Sequence, residues 1–350
     1  MTRPMADSLA RMRERVLETD RLRMHVLESG PEDGVPVVLV HGNLASGRFF
    51  AHLLERAPIR YRLIAPDMRS FGDSEPAPLD ATRGLGDWAD DIHALLAALH
   101  IDRPPHLAGW STGGAAVAGY ALEHPVASLT LIDPVPPYGY GGTFADGTPC
   151  FADYAGSGGG TTNADFVERL ANGDRTAAAA TSPRNVLTGA YWRVGHQEAR
   201  EEEMLEEILK SVVGDDGYPG DSLPSPNWPG VAPGTRGILN ALSPKYCNWS
   251  ALGEHPDPPP VLWTHGARDI VVADGSAWEM GGLGKLGGIP GWPGEETFPP
   301  QPMIAQIRSL FERYEGRAEI EIFDESGHAP FIDAAARWSA VFFGFLESVK

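Results

Sequence analysis

"HLAGWSTGGAAVAGYALEHP", residues 106–125, sets one serine between two glycines, behind an apolar run and ahead of an alanine-rich one. A strand that turns sharply into a helix holds its turning residue in a strained conformation. Glycines two positions to either side remove the side chains that would collide there. The side chain at the turn, here Ser111 between Gly109 and Gly113, is left standing above the sheet edge. The N-terminus of the following helix directs backbone N–H groups and a partial positive charge toward any oxyanion that develops beside it. The pentapeptide alone also occurs in purely structural turns, but its place between a strand and a helix is the context a nucleophile requires.

Outward from this turn, short apolar runs bounded by turn residues recur. "RVLETDRLRMHVLESG" (15–30) reads as a hairpin, and "VPVVLVHG" (35–42), "YRLIAPD" (61–67), "VASLTLIDP" (126–134), "PPVLWTHGARD" (259–269) and "AEIEIFDESGH" (318–328) read as strands. Helical patterns lie between them, at 85–100 and 112–125. Strands alternating with helices predict an α/β fold, a mainly parallel sheet with helices on both faces. Residues 1–134 and 259–350 form the expected core, and 135–258 an inserted cap. That interval holds the Gly-rich "YGYGGTFADGTP" and "GSGGGTT", and its Tyr138, Tyr140, Phe151, Tyr154, Tyr191, Trp192 and Trp228 need covering. A helix is expected over 195–213, its many glutamates read as a solvated face rather than a metal site. A second insertion, 275–302, carries Trp278, Met280, Leu283, Leu286, Ile289 and Trp292. More apolar surface than a solvated loop leaves exposed predicts that it lines the mouth of the site, with a subunit interface as the competing reading.

Asp and Glu total 47 against 28 Lys and Arg, a formal charge of -19, which argues against nucleic acid and anionic membrane as partners. A neutral or cationic small molecule is the easier partner, and a homo-oligomer stays open. Cys150 and Cys247 are too few for a disulfide framework and lack metal-ligand spacing, though one bridge between them stays open. The first twenty residues have no continuous apolar core and no stretch reaches spanning length, so a soluble, cytoplasmic protein is expected.

A serine hydroxyl is a poor nucleophile until a base takes its proton, so a histidine oriented by a carboxylate must lie nearby. His328, just past the last strand, is the expected base. His41, before Gly42, suits a buried residue bracing its loop. For the acid, Asp269 follows the penultimate strand and keeps the order Ser, acid, His; Asp133, closing another strand on the same edge, competes.

These residues resemble the α/β-hydrolase fold superfamily over about 20–134 and 259–350. "GWSTG" (109–113) matches the family's elbow, His41-Gly42 its first-loop "HG", and "DMRSFGDS" (67–74) its "D-x-R-G-x-G-x-S" segment, with Ser70 in place of a glycine. The resemblance implies an oxyanion hole from the backbone N–H groups of Asn43 and Thr112. It also places Phe49 and Phe50 beside the cleft, at least one of them as an ordinary core residue. With Trp110 and Trp278 they are the substrate-binding candidates. Serine at the elbow, rather than the aspartate of epoxide hydrolases and dehalogenases, points to hydrolysis of an ester or lactone of a bulky, mostly apolar small molecule through an acyl-enzyme, with no metal or organic cofactor. Cofactor-free lyase or perhydrolase chemistry, or a small-molecule receptor on the same fold, are the alternatives.

Overall fold

The structure, a computed structural model, describes residues 12–349. Eight strands form one sheet: β1 (Arg13–Glu18), β2 (Arg23–Ser29), β3 (Val35–Val40), β4 (Tyr61–Pro66), β5 (His106–Trp110), β6 (Ser128–Ile132), β7 (Val261–Gly266) and β8 (Ala318–Phe323). Their spatial order is β1-β2-β4-β3-β5-β6-β7-β8. β1 and β2 are the expected hairpin, and β2 pairs antiparallel with β4; every other pairing is parallel. β4 to β7 are buried along their whole length, whereas the edge strands β1 and β8 alternate or stay half-exposed. Near-continuous apolar runs are what a parallel sheet covered on both faces demands. Helices α1 (Gly86–Ala98) and α2 (Thr112–Glu123) pack together on one face, and α3 (Ala335–Ser348) packs with the short Ala51–Leu54 turn on the other.

This topology positions the site. After β3 the chain crosses to β4 on one side, and after β5 it crosses to β6 on the other, so the crevice beyond the C-terminal ends of β3 and β5 is a topological switch point. Ser111 follows β5, and Asn43 lies in the loop after β3.

Between β6 and β7 the chain forms four helices, among them Ala164–Ala171, Pro183–Ala190 and Glu201–Leu209, and two small two-stranded sheets. The helix expected over 195–213 is shorter than its pattern. Glu198 turns back to accept the Arg200 N–H and pairs with His52 and His196, so helical pairing begins only at Glu201. The glutamates that follow pair with arginines: Glu201 and Glu202 with Arg184, and Glu203 with Arg200. Cys150 and Cys247 are both free thiols.

The two elbow glycines are steric necessities. A Cβ on Gly109 would stand 2.1 Å from the Gly113 carbonyl oxygen, and one on Gly113 would stand 2.2 Å from the oxygen of Val40 and 2.6 Å from that of His41. Gly119, later in the same helix, faces nothing within 4 Å. Gly113→Ala is therefore expected to cost more than about 3 kcal/mol, because backbone rather than a flexible side chain must move. Gly119→Ala should be neutral or stabilise by about 0.5–1 kcal/mol. Urea melts of the two variants measure the contrast, and similar midpoints would contradict it.

Candidate active site

Ser111 adopts φ 55° and ψ −114°, a left-handed geometry that L-residues avoid. Four of the six described non-glycine residues with positive φ sit just beyond strand ends on this one edge: Leu44, Ser70, Ser111 and Asp133. Each such conformation costs about 1–3 kcal/mol, and strain of this kind collects where geometry serves chemistry. Ser70 occupies the position where the family pattern has glycine, at φ 69°, and its hydroxyl donates to the Ala77 carbonyl. Orphaned polar atoms gather at the same edge: Asn43 Oδ1, Thr112 Oγ1, Asp133 Oδ2 and His265 Nδ1 are buried without hydrogen-bond partners.

His328 and Asp269 meet. Nδ1 of His328 lies 2.7 Å from Asp269 Oδ2, while Asp269 Oδ1 accepts the N–H groups of Val271 (2.7 Å) and Val272 (3.1 Å). Burial opposes ionisation of Asp269, but the charge and hydrogen bond of His328 outweigh it and hold the carboxyl below its ordinary pKa. Asp133 makes no bond to His328; its Oδ1 accepts the Gly266 N–H at 2.8 Å, and its carboxylate lies within 4.8 Å of that of Asp269. Burial first, and then the neighbouring charge of Asp269, push Asp133 well above the ordinary carboxylate range and favour its neutral form. His265 stands between the two acids, 3.5 Å from Asp133 Oδ1 and 3.7 Å from Asp269 Oδ2, and its Nε2 donates to the Val272 carbonyl. Nothing in the sequence pointed to His265 beyond its place on β7.

The elbow is tied to the histidine loop through its neighbour. The Trp110 indole N–H donates to the His328 carbonyl at 2.7 Å, and the two rings lie 5.4 Å apart. Trp110 is 1% exposed, so this substrate-binding candidate instead holds two loops together. Phe49 stacks on Trp110, and Phe50 stacks on Phe331; both phenylalanines are fully buried. His41 is buried as expected, its Nδ1 donating to the Gly42 carbonyl and its Nε2 accepting the Met68 N–H. Burial lowers its pKa to about 4, so it braces the loop as a neutral ring.

The two insertions pack on each other. Gln301 bridges the Gly139 carbonyl and the Gly141 N–H, Phe298 contacts Phe151 and Trp228, and the Trp228 indole donates to the Pro290 carbonyl. Among the described residues, no hydrogen bond or ring contact of 275–302 reaches Ser111 or His328, and Trp278 is 44% exposed. A groove of about 410 Å³ opens beside the acid, lined by Gly189, Trp192, Val194, Arg268, Asp269 and Ile270. From the first insertion, Tyr191 reaches the loop after β3, its hydroxyl 3.1 Å from the carbonyl oxygens of Asn43 and Leu44.

The chain is 36% identical over 129 residues to the cis-3-alkyl-4-alkyloxetan-2-one decarboxylase of Xanthomonas campestris pv. campestris, covering 33% of this chain and 43% of that protein. It is 36% identical over 108 residues to the magnesium-chelatase 30 kDa subunit of Rhodobacter capsulatus, covering 31% of this chain and 37% of that protein. These matches thus span less than half the length of either curated relative. Among solved structures, an esterase from Rhodococcus sp. superposes with a TM-score of 0.61 at 18% identity, covering 97% of this chain and 99% of that one. An N-acyl homoserine lactonase gives 0.55 at 18% identity, covering 97% and 98%. At such identities the likeness is one of fold. No described helix is long and apolar enough to cross a membrane. The profile described as "Alpha/beta hydrolase family" matches residues 37–341, and on that match the chain belongs to the alpha/beta hydrolase family.

Proposed function

We propose that the protein is a serine hydrolase that cleaves an ester or lactone of a bulky, mostly apolar small molecule through an acyl-enzyme. The observation that carries this reading is the strained Ser111 at the switch point, whose neighbour Trp110 bonds the His328 carbonyl, together with a His328 ring hydrogen-bonded to a buried Asp269 whose carboxyl is held below its ordinary pKa. His328 takes the Ser111 proton as Oγ attacks the carbonyl carbon, and Asp269 holds the imidazole in the tautomer that leaves Nε2 free to accept it. The first N–H groups of α2 have no intrahelical acceptor, so the Thr112 N–H, with that of Asn43, is free to hold the oxyanion. Collapse of the adduct returns the proton to the leaving alcohol. A water activated by His328 then opens the acyl-enzyme.

The substrate class rests on the serine at the elbow and on the aromatic content of residues 135–258, read as a cap; the groove beside Asp269 is lined by neither Ser111 nor His328 and carries no part of the reading. The relatives named for a lactone and an oxetan-2-one support including cyclic esters. An activity panel of short-chain and bulky aryl esters, lactones and amides tests the reading, alongside a serine-directed phosphonate. Turnover of esters or lactones, with the label on Ser111, is expected. Stoichiometric binding of these compounds without turnover or labelling would favour a receptor instead.

A further inference from the structure

We propose that Tyr191, delivered by the insertion, is a positioning residue for the oxyanion site: its hydroxyl braces the loop after β3 and keeps the Asn43 N–H aimed at the carbonyl under attack. The inference rests on the reading of Ser111 as nucleophile.

The loop is anchored on both sides. His41 ties its start to Met68, and the Gly47 N–H donates to Asp67 Oδ1 at 2.8 Å. Between these anchors Leu44 is held at φ 50°, a conformation a leucine does not choose. Among the described residues, Tyr191 is the one side chain that hydrogen-bonds a carbonyl of residues 43–45. Its single O–H proton is shared between the carbonyls of Asn43 and Leu44, each 3.1 Å from the hydroxyl. Tyr191 is itself fixed. It closes the helix Pro183–Ala190, is 8% exposed, and its ring meets Trp110 edge-on at 5.4 Å and Phe49 at 5.9 Å. Trp110 precedes the nucleophile, so one aromatic side chain from the insertion touches both the elbow and the loop that carries Asn43. An oxyanion donor acts only if preorganised before charge develops. Tyr191 supplies that preorganisation, and docking of the insertion is thereby coupled to rate rather than to affinity.

Tyr191→Phe keeps the ring packing and removes only the hydroxyl. In the full chain its kcat on a chromogenic ester should fall about 10- to 100-fold, less than outright removal of an oxyanion donor, while KM stays within about twofold. Affinity for a trifluoromethyl ketone, whose adduct on Ser111 bears an oxyanion, should fall by a similar factor. A kcat within twofold of wild type, a change in KM alone, or an unchanged ketone affinity would overturn the proposal. Leu44→Gly added to Tyr191→Phe reads the link from the other side and serves if the single variant melts early. Glycine holds a positive φ without a brace, so kcat should recover most of the loss; a folded double variant that recovers nothing counts against the role. A wild-type chain that turns over no acyl substrate and takes no label at Ser111 defeats the nucleophile reading, and this inference with it.

Discussion

Replacing Ser111 by alanine is expected to lower ester turnover by about four to six orders of magnitude while leaving the fold intact. The hydroxyl stands at the strained turn itself, whereas the neighbouring Thr112 hydroxyl is fully buried inside the first turn of the helix. Alanine keeps the Cβ already accommodated at φ 55°, so backbone geometry and stability should hardly change. Residual rate over water, about a thousandfold, should survive through binding and the oxyanion donors. Steady-state assays with matched melting curves measure both halves of the statement. A folded Ser111→Ala chain that keeps even a tenth of wild-type kcat would place the nucleophile elsewhere.

Asp269→Asn should cost about 10⁴ in kcat, or about 5.5 kcal/mol of transition-state stabilisation. An amide donates where a carboxylate accepts, so it favours the imidazole tautomer with the proton on the wrong nitrogen. Asp133→Asn should leave kcat within about fivefold, because Asp133 makes no bond to His328 and its neutral form is favoured. The two variants should also part in their stability profiles. A carboxyl whose folded-state pKa is raised stabilises the fold fully below the ordinary value of about 4, and that contribution is lost as pH rises through the folded-state pKa. Asparagine does not titrate, so Asp133→Asn should gain stability relative to wild type as pH climbs above about 4. Chemical denaturation at several pH values records the slope. A crippled Asp133→Asn beside a mild Asp269→Asn would reverse the assignment of the acid.

The sheet was legible because its signals are local. Apolar runs ending in His41-Gly42, Asp67, Ser111, Asp133 and Asp269 mark strand ends, and strand ends on a parallel sheet share an edge. Shared strand ends place Ser111, Asp269 and His328 on one edge, and the structure brings His328 and Asp269 into contact; the pattern does not separate Asp269 from Asp133, since it carries no information on which carboxylate an imidazole meets. Trp110 read as a wall of the pocket because it flanks the serine; its indole N–H is spent on a carbonyl 218 residues away. Tyr191 lay among twelve aromatics in an interval rich in Gly and Pro, and its hydroxyl contacts lie 147 and 148 residues from it in sequence. The same distance effect hid the mutual packing of the two insertions, where an excess of apolar residues called for a partner without naming it.

The bond from Trp110 to the His328 carbonyl also orders events during synthesis. The elbow, β3 and the loop that bears Asn43 all lie within the first 135 residues and emerge early from the ribosome, whereas the histidine leaves nearly two hundred residues later. Contacts of such sequence separation carry a heavy loop-closure cost and form late in folding. Until they form, the indole N–H has no carbonyl to meet and the proposed nucleophile lacks its proposed base. The proposed site thus cannot assemble until residue 328 has been made and its loop has closed on the elbow.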